Sequence, residues 1–311
     1  MNLLAIDFGG TRTRAAWFSH GVNLIQRDET LSQVDQPAQQ VLDRMIEVAR
    51  KVIPAGEHVD AIGISAPGPL DAARGVIIQA KTLPDWYDVP LSRIISEAFG
   101  HVPVFMQNDA NLAALAEYHL GAAQGADPTI YLTVSTGIGG GAVIGGTLFT
   151  GSRGLAIEPG HMRFPQADGR ILRWEELSSG TGIGRLARER LAGSDALSSL
   201  RVLDCVDGKA VGKAAQAGDA LALDVIQTSA YYFGLGLVNL IHLFNPQAIV
   251  LGGSVIQLGD LFLDPAKRII EQELLDPRFN SDDLIRVAQL GDSVCLYGAA
   301  LYARWKMESA L

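Results

Sequence analysis

Two hydrophobic periods organise the first part of the chain. Short apolar runs bounded by glycine or polar turns predict strands, and apolar residues three and four positions apart predict a helix. The runs at 3–6, 13–18, 24–30 and 61–65 are predicted strands, and the spacing of Val41, Met45, Val48 and Val52 predicts a helix over 36–52. Gly9-Gly10 joins the first two strands as a tight turn. A P-loop or a dinucleotide fingerprint would place its glycines between a strand and a helix, so neither motif is indicated.

The same order of elements returns further along the chain. The predicted elements there are a strand at 130–135, a glycine-rich turn at 136–141, a strand at 142–144, a second turn at 145–146, a helix at 221–243 and a strand at 248–251. A pattern used twice predicts a duplicated α/β fold, in which two similar domains each carry a mixed β-sheet flanked by helices and the ligand lies in a central cleft between them. We expect domains at 1–118 and 119–290, a hinge within 116–127, and a segment 291–311 whose helix returns to the first domain.

Composition and charge narrow the class of protein. The 311 residues are 48% hydrophobic and 19% charged, which is typical of a soluble globular protein with room for two domains. A formal charge of -9 argues against a nucleic-acid surface, which needs clustered Lys and Arg. The first predicted strand starts at Leu3, which leaves no room for a signal peptide or a preceding DNA-binding domain, and the longest apolar run, 231–244, is too short to cross a bilayer and predicts a core helix. We therefore expect a cytoplasmic protein without membrane partners, in which the two distant cysteines, Cys205 and Cys295, are buried thiols.

One predicted strand runs directly into a helix at a carboxylate. The stretch 103–111 leads from an apolar segment into the helix-forming run 112–118, with Asn108 and Asp109 at the junction. The rim of a sheet is where open α/β folds hold ligand chemistry, so Asp109 is a candidate functional residue. Helix capping is the alternative, because Asn and Asp are preferred N-caps.

Two glycine turns are candidates for phosphate binding. The turns at 7–11 and 135–140 each follow a buried strand and carry a threonine, and inward backbone N–H groups beside a hydroxyl bind anions. An ordinary hairpin is the alternative for either turn alone. Asp7 ends an apolar strand, where a carboxylate is costly to bury without a partner. That partner is either Mg²⁺ arriving with nucleotide phosphates, or Arg12 or Arg14 in a salt bridge.

A third group of polar residues follows the second turn. Glu158, His161 and Glu175 lie in a glycine-rich stretch, and two carboxylates with an imidazole suit a ligand covered with hydroxyl groups. A metal site is the other standard interpretation, but no Cys lies between His161 and Glu175, so a thiolate zinc site cannot form from this stretch. The run Gly180-Thr181-Gly182-Ile183-Gly184 imitates a dinucleotide fingerprint, but the strand that should precede it is missing, and we interpret it as the start of a helix.

In this order and spacing, the motifs resemble the ROK family of sugar kinases and repressors, within the actin-like and sugar kinase superfamily. The resemblance covers nearly the whole chain and rests on these stretches: Asp7-Phe8-Gly9-Gly10-Thr11, Ala66-Pro67-Gly68-Pro69-Leu70-Asp71, Leu83-Pro84-Asp85-Trp86, Asn108-Asp109-Ala110-Asn111, Thr136-Gly137-Ile138-Gly139-Gly140-Gly141, Glu158-Pro159-Gly160-His161 and Ser179-Gly180. It implies an actin-like, ribonuclease H-like ATPase fold and an enzyme that uses ATP and Mg²⁺. We also expect a homodimer or a higher homo-oligomer.

The resemblance also implies roles for individual residues. Asp109 resembles the family's catalytic base, with Asn108 beside it on the sugar, and Glu158, His161 and Glu175 resemble its further sugar ligands. Backbone at Gly68 and Gly137 would line the pocket. The residues implied for the phosphates, Mg²⁺ and adenosine are Asp7, Gly9, Gly10, Thr11, Thr136, Gly137, Gly139, Gly252 and Gly253.

Two departures from the family pattern affect the expected chemistry. Many members have a zinc-binding cysteine cluster after the Gly-His pair, whereas this chain has no Cys between Met162 and Trp174. We therefore expect no zinc, and we expect packing or hydrogen bonds to orient His161. Many members also have Asn before the Leu-Pro-x-Trp run, whereas this chain has Thr82, which leaves one sugar contact and the identity of the sugar open.

These features together predict transfer of the ATP γ-phosphoryl group to the primary hydroxyl of a hexose, with Asp109 as the base. Glucose is the first expectation, and N-acetylmannosamine, N-acetylglucosamine, fructose and allose stay open because sugar choice depends on the shape of the pocket. A non-catalytic, sugar-sensing regulator of the same family is the alternative, but it predicts a preceding DNA-binding domain or loss of the base. An ATP-driven machine of the actin kind is disfavoured by the sugar-ligand cluster.

Overall fold

The computed structural model describes residues 1–19, 22–79, 83 and 86–309, so the motif residues Thr82, Pro84 and Asp85 lie outside the described residues. The strands are β1 (Leu3–Phe8), β2 (Arg12–Ser19), β3 (Asn23–Leu31), β4 (Ala61–Ala66), β5 (Leu70–Asp71), β6 (Val76–Gln79), β7 (Tyr87–Val89), β8 (Val104–Asn108), β9 (Thr129–Val134), β10 (Ile138–Ile144), β11 (Thr147–Leu148), β12 (Arg163–Pro165), β13 (Ile171–Arg173), β14 (Ala248–Gly252) and β15 (Ile285–Val287). The α-helices are α1 (Ala38–Lys51), α2 (Leu91–Ala98), α3 (Asp109–Leu120), α4 (Trp174–Ser178), α5 (Gly180–Ala192), α6 (Gly208–Gln216), α7 (Ala220–Phe244), α8 (Asp260–Glu273) and α9 (Val294–Ser309).

The chain forms two compact units. The first comprises Met1–Gln124, Thr150–Ala156 and Gln289–Leu311, and the second comprises Gly125–Phe149 and Ile157–Ala288. The segments 119–124 and 150–156 therefore belong to the first unit, although we expected them in a second domain starting at residue 119.

The first unit is built on a sheet with strand order β3-β2-β1-β4-β8. Strands β1, β2 and β3 form an antiparallel meander, and β4 and β8 continue the sheet parallel to β1. Helix α9 packs against β1, β4 and α3. This packing needs a glycine at Gly63, because a Cβ there would lie 2.0 Å from the Ala299 carbonyl oxygen.

The second unit repeats this topology with strand order β11-β10-β9-β14-β15. Strands β9, β10 and β11 form the antiparallel meander, and β14 and β15 are the parallel strands. The predicted duplication of an α/β pattern is therefore confirmed at the level of strand order. Helix α7 is long and apolar enough to cross a membrane, but 61% of its most apolar 18-residue stretch is buried inside this unit, as the core of a globular domain requires.

Three expectations differ from the structure. Strand β10 begins at Ile138, so Gly139, Gly140 and Gly141 lie in the strand and not in the preceding turn. Helix α3 continues to Leu120, so residues 116–120 of the predicted hinge are helical. Cys205 is exposed and Cys295 half-buried, so the expectation of two buried thiols was wrong for Cys205.

Candidate functional site

The ends of parallel strands bring the first group of candidate residues to one edge of the sheet in the first unit. The register pairs Asp7 of β1 with Ser65 of β4, and Ala66 of β4 with Asn108 of β8. Gly68 follows β4 and lies against Asn108, since a Cβ on Gly68 would be 3.3 Å from the Asn108 Nδ2 atom. The carboxyl ends of parallel strands are the ligand-binding edge of open α/β sheets. The register of β1, β4 and β8 therefore places Asp7, Gly68 and Asn108 at the same edge of the sheet.

The junction between β8 and α3 contains the helix cap that the sequence left open as an alternative, and it places Asp109 directly after that cap. Asn108 is the N-cap of α3, and its Oδ1 atom accepts a hydrogen bond from the Ala110 N–H at 3.0 Å. Asp109 is the first residue of the helix, is exposed, and its Oδ1 atom accepts from the same N–H at 2.7 Å. Capping therefore falls to Asn108, and Asp109 presents a carboxylate on a rigid strand-to-helix connection.

The half-buried Cys295, for which no functional role was predicted, lies beside Asp109. Its thiol donates to the Asp109 carbonyl oxygen across 3.8 Å. Burial raises the pKa of Cys295 well above its usual value, and the negative charges of Asp7 and Asp109 raise it further. The thiol is therefore held protonated beside the candidate base, a placement that depends on α9 packing against the sheet and has no local signal in the sequence.

Asp7 has the salt bridge that was the alternative to a metal. Its Oδ2 atom lies 3.1 Å from Arg14 Nη1. Burial raises the pKa of Asp7, while the Ser65 hydroxyl and the Arg14 guanidinium oppose this shift. Among the described residues, no group of three His, Cys, Asp or Glu side chains could hold a metal alone. A Mg²⁺ ion carried in with a nucleotide keeps several waters and needs one or two carboxylates, and Asp7 could supply one of them.

The first glycine turn is a tight hairpin with an exposed tip. The Gly9 N–H donates to the Arg12 carbonyl oxygen at 3.0 Å, and the Ser32 hydroxyl donates to the Gly9 carbonyl oxygen at 2.6 Å. Gly10 is half-buried and Thr11 is exposed, so both can face a ligand. The turn is therefore a hairpin, which was the alternative to a phosphate-binding turn. Its exposed tip still leaves room for an anion.

The second unit holds the polar group around Glu158. Burial raises the pKa of Glu158, the attraction to His161 lowers it, and the negative charge of Glu175 raises it. Glu158 therefore lies within electrostatic range of both His161 and Glu175. Gly137 belongs to the same group, because a Cβ on it would lie 3.0 Å from the Glu175 Oε2 atom.

Packing around Trp174 positions Glu175. The Trp174 ring is buried, stacks on Phe233 with centroids 5.4 Å apart, and donates from Nε1 to the Tyr232 carbonyl oxygen at 2.9 Å. Glu175 follows directly, and its Oε1 atom lies 2.7 Å from Arg173 Nη1. A buried ring and an ion pair therefore fix a carboxylate that would otherwise rotate freely.

The second glycine turn is shorter than predicted. The Ser135 N–H donates to the Gly137 carbonyl oxygen at 2.9 Å, and Thr136 is exposed at the tip. Gly139 lies in β10 opposite Thr133, so its expected place in a phosphate-binding turn was wrong. Only Thr136 and Gly137 are left of the predicted nucleotide residues in this turn.

A cavity of about 390 Å³ opens beyond the end of β14 in the second unit. Gly252 ends that strand, and Gly253 has a φ of +97° with Val134 backbone close by, a position that only glycine fits without strain. The walls include the apolar Ile183, Val255 and Leu258, the cationic Lys209 and Lys213, and Gly180 at the start of α5. The expectation that Gly180 starts a helix is confirmed, with Ser179 as N-cap accepting from the Gly182 N–H at 3.2 Å.

Lys209 and Lys213 were missed in the sequence. They lie four residues apart on α6, behind the N-cap Asp207, so they share one helix face. The i, i+4 spacing of two cations was a visible signal, but only the cavity shows that they face a ligand-sized space. An apolar cavity wall suits the base of a nucleotide, and two cations beside it suit the phosphates.

The profile of the ROK family matches residues 3–306. The chain belongs to the ROK family. The ROK hexokinase of Thermus thermophilus has 34% sequence identity, and its crystal structure superposes with a TM-score of 0.82 over 99% of this chain and 100% of that one. A ROK family glucokinase of Streptomyces griseus, crystallised with glucose and AMPPNP, has 32% identity and a TM-score of 0.79 over 98% of this chain and 100% of its own.

A curated glucokinase of Halalkalibacterium halodurans is 32% identical over 98% of this chain and 96% of its own length. Xylose repressors and a ROK family transcriptional regulator are also among the relatives. The fold is therefore the mixed α/β, actin-like fold of the ROK sugar kinases.

This ROK protein positions His161 without a cysteine cluster between Met162 and Trp174. His161 ends a short 3-10 helix, Pro159–His161, whose Gly160 packs so tightly that a Cβ would lie 2.2 Å from the Ile138 carbonyl oxygen. The His161 N–H donates to the Glu158 carbonyl oxygen at 3.2 Å. Backbone packing against β10 therefore fixes the position from which the imidazole projects.

Proposed function

We propose that this ROK protein is an ATP-dependent sugar kinase that transfers the γ-phosphoryl group to the primary hydroxyl of a hexose, with glucose as the first candidate. The observation that carries the proposal is the exposed carboxylate of Asp109 on the first turn of α3, beside Asn108 and Gly68. The sugar kinases among its relatives, including one solved with glucose and AMPPNP, support the enzyme class and the use of ATP. The proposal includes a cytoplasmic homo-oligomer without nucleic-acid or membrane partners.

Asp109 accepts the proton of the sugar hydroxyl as that oxygen attacks the γ-phosphorus. The residues proposed to bind the remaining sugar hydroxyls are Asn108, Glu158, His161 and Glu175. Phosphoryl transfer depends on positioning and on neutralising the phosphate oxygens more than on covalent chemistry. Mg²⁺ supplies that neutralisation when it is bound, and Asp7 would hold it.

The two glycine turns and the cavity beyond β14 are assigned to the nucleotide. The exposed tips at Thr11 and Thr136 offer hydroxyl and backbone N–H donors to phosphate oxygens. The adenosine would lie in the 390 Å³ cavity that follows Gly252-Gly253, with Lys209 and Lys213 on its wall. These assignments divide the residues into a sugar group and a nucleotide group that kinetics can separate.

A coupled ADP-release assay tests the reaction across glucose, fructose, allose, N-acetylglucosamine and N-acetylmannosamine. We expect one sugar to support turnover, and Asp109→Asn to lower kcat by about 10²- to 10⁴-fold, the range for loss of a general base, while sugar binding survives. Asp43→Asn, an exposed aspartate on α1, is the matched control and should not change kcat. Sugar binding without turnover on the whole panel would favour the sugar-sensing regulator instead.

The division of the site is tested by paired substitutions. We expect Glu158→Gln and His161→Ala to raise the sugar KM far more than the ATP KM, and Lys213→Ala to do the reverse. Uronic acids should be neither substrates nor competitive inhibitors, because their carboxylate would face Glu158 and Glu175. If Glu158→Gln weakened ATP and left sugar saturation unchanged, the Glu158 group would belong to the nucleotide.

A further inference from the structure

A second cavity, of about 630 Å³, lies beside β8 in the first unit. Strand β8 is the last strand of its sheet, so the backbone groups on its outer side are not used by the ladder with β4. Residues 71–75, residues 150–154 and the last part of α9 form the other walls. The cavity has the size of small-molecule sites and lies along Val104–Gln107, before the strand reaches Asn108.

The charges of this cavity favour an anion. Arg74, Arg153 and Lys306 contribute three cations to the lining, against the one carboxylate of Asp71. Asp71 Oδ2 lies 4.0 Å from Arg74 Nη1, and the Lys306 Nζ atom lies 5.5 Å from the centre of the Tyr302 ring. The chain as a whole carries a formal charge of -9, so a positive cavity does not follow from composition. Two excess positive charges match a phosphate monoester dianion.

The rest of the lining favours a hydroxylated, ring-shaped ligand. Hydroxyl and amide groups come from Ser92, Thr150, Ser152, Gln107 and Tyr302. Such groups both donate and accept hydrogen bonds, as sugar hydroxyls require. The apolar Val104–Met106 stretch supplies a surface for the C–H face of a sugar ring. A bare inorganic anion would leave most of these groups unused.

We propose that this cavity is a second, non-catalytic site that binds a phosphorylated sugar. The cavity communicates with the candidate catalytic edge through Gln107, which is 1% exposed. The Gln107 Oε1 atom accepts from the Asn108 N–H at 2.8 Å and from Asn111 Nδ2 at 3.3 Å, and Gln107 lines the cavity together with Tyr302. An occupant that contacts Gln107 therefore shares one buried polar network with the residue that caps α3. The proposal uses none of the residues assigned to the phosphoryl transfer, so it stands apart from the proposed function.

Calorimetric titration with glucose 6-phosphate tests the site. The full chain is first saturated with glucose and AMPPNP, so that the residues proposed for catalysis are occupied. We expect one glucose 6-phosphate per chain to bind, and Arg153→Ala combined with Lys306→Ala to weaken it by at least about tenfold, a loss of about 1.4 kcal/mol. Arg93→Ala, an exposed cation on α2 outside this cavity, is the control and should bind as the wild type does.

Three outcomes would overturn the proposal. The first is no binding to the saturated wild-type chain, and the second is an equal loss in Arg93→Ala. The third is inorganic phosphate binding as tightly as glucose 6-phosphate, which would make the site a simple anion site. Lys306→Glu serves as a check on folding. If its melting temperature equals that of the wild type, a loss of glucose 6-phosphate binding in this variant reflects the changed charge and not an unfolded protein. If the chain did not bind glucose, glucose 6-phosphate could also bind at the Asp109 edge. The Arg153 and Lys306 variants would still distinguish the two sites, because they would weaken binding in the cavity beside β8 and leave binding at the Asp109 edge unchanged.

Discussion

Glu117 of α3 offers a sharp test of how a buried charge is held in the first unit. Its side chain is 0% exposed. The Oε1 atom accepts hydrogen bonds from the Gln289 N–H and the Leu290 N–H, both at 2.9 Å, and the Oε2 atom accepts from the Ala122 N–H at 2.7 Å. One carboxylate thus joins the end of α3 to a segment more than 170 residues later, where the chain re-enters this unit. The perturbation we consider is Glu117→Gln, which keeps the shape and removes the charge.

The expected cost follows from these three hydrogen bonds. Gln keeps an oxygen for Gln289 and Leu290, but these two bonds lose their charge, and charged hydrogen bonds are about twice as strong as neutral ones. The other end of the amide is an NH₂ group, which meets the Ala122 N–H donor to donor. With about 1.5–3 kcal/mol for a hydrogen bond to a charged group, we expect Glu117→Gln to lower the free energy of unfolding by about 2–4 kcal/mol. Glu117→Ala removes all three acceptor contacts and leaves three backbone N–H donors without their partner, so it should cost more, about 3–5 kcal/mol. The cost is not higher because water can reach the N–H of the exposed Gln289.

Urea unfolding measures the free energy, and amide hydrogen exchange locates the effect. We expect faster exchange at residues 118–124 and 287–292 in both variants, because these segments lose their common anchor. Glu97→Gln is the control, since its side chain is 58% exposed and pairs with Arg93 across 3.8 Å, and it should stay within about 0.5 kcal/mol of the wild type. A Glu117→Gln protein as stable as that control would refute the reasoning.

Four further results are expected. Gly236→Ala places a Cβ 2.0 Å from the Cε2 atom of Trp174, so the ring must shift, and the sugar KM should rise in steady-state kinetics while the ATP KM stays unchanged. Burial raises the pKa of Asp219, but hydrogen bonds from neighbouring turns lower it from 3.8 to about 2, so the stability advantage of the wild type over Asp219→Asn should be full above pH 3.8 and vanish as acid unfolding is followed towards pH 2. Burial raises the pKa of Glu158 above 4.5, so Glu158→Gln should melt at a higher temperature than the ligand-free wild type at neutral pH, and this advantage should disappear below pH 4.5. Elemental analysis after chelator treatment should find no stoichiometric zinc, and one zinc per chain would contradict our interpretation of the stretch after His161.

Local features determined the elements and most of the candidate residues. The first strand was predicted at 3–6 and is Leu3–Phe8, and the helix predicted at 221–243 is Ala220–Phe244. Both follow from hydrophobic periods that any short window of the chain contains. The grouping of Glu158 with His161 was likewise visible in sequence, because they are only three positions apart on either side of Pro159-Gly160.

Tertiary structure decided what depends on partners distant in sequence. Register alone sets Asp7 level with Ser65 and Ala66 level with Asn108, and no local pattern specifies a register between strands that are far apart in sequence. The cavity beside β8 is lined by cations at positions 74, 153 and 306. From the sequence alone, each of them would be interpreted as an ordinary solvent-exposed charge. Gly139 was assigned to a turn because glycine permits a turn, but pairing with β9 satisfies its backbone in a strand. The physical reason is the same in each case: hydrophobic periods act within one element, whereas hydrogen-bond pairing and charge interactions are settled only when separate elements meet.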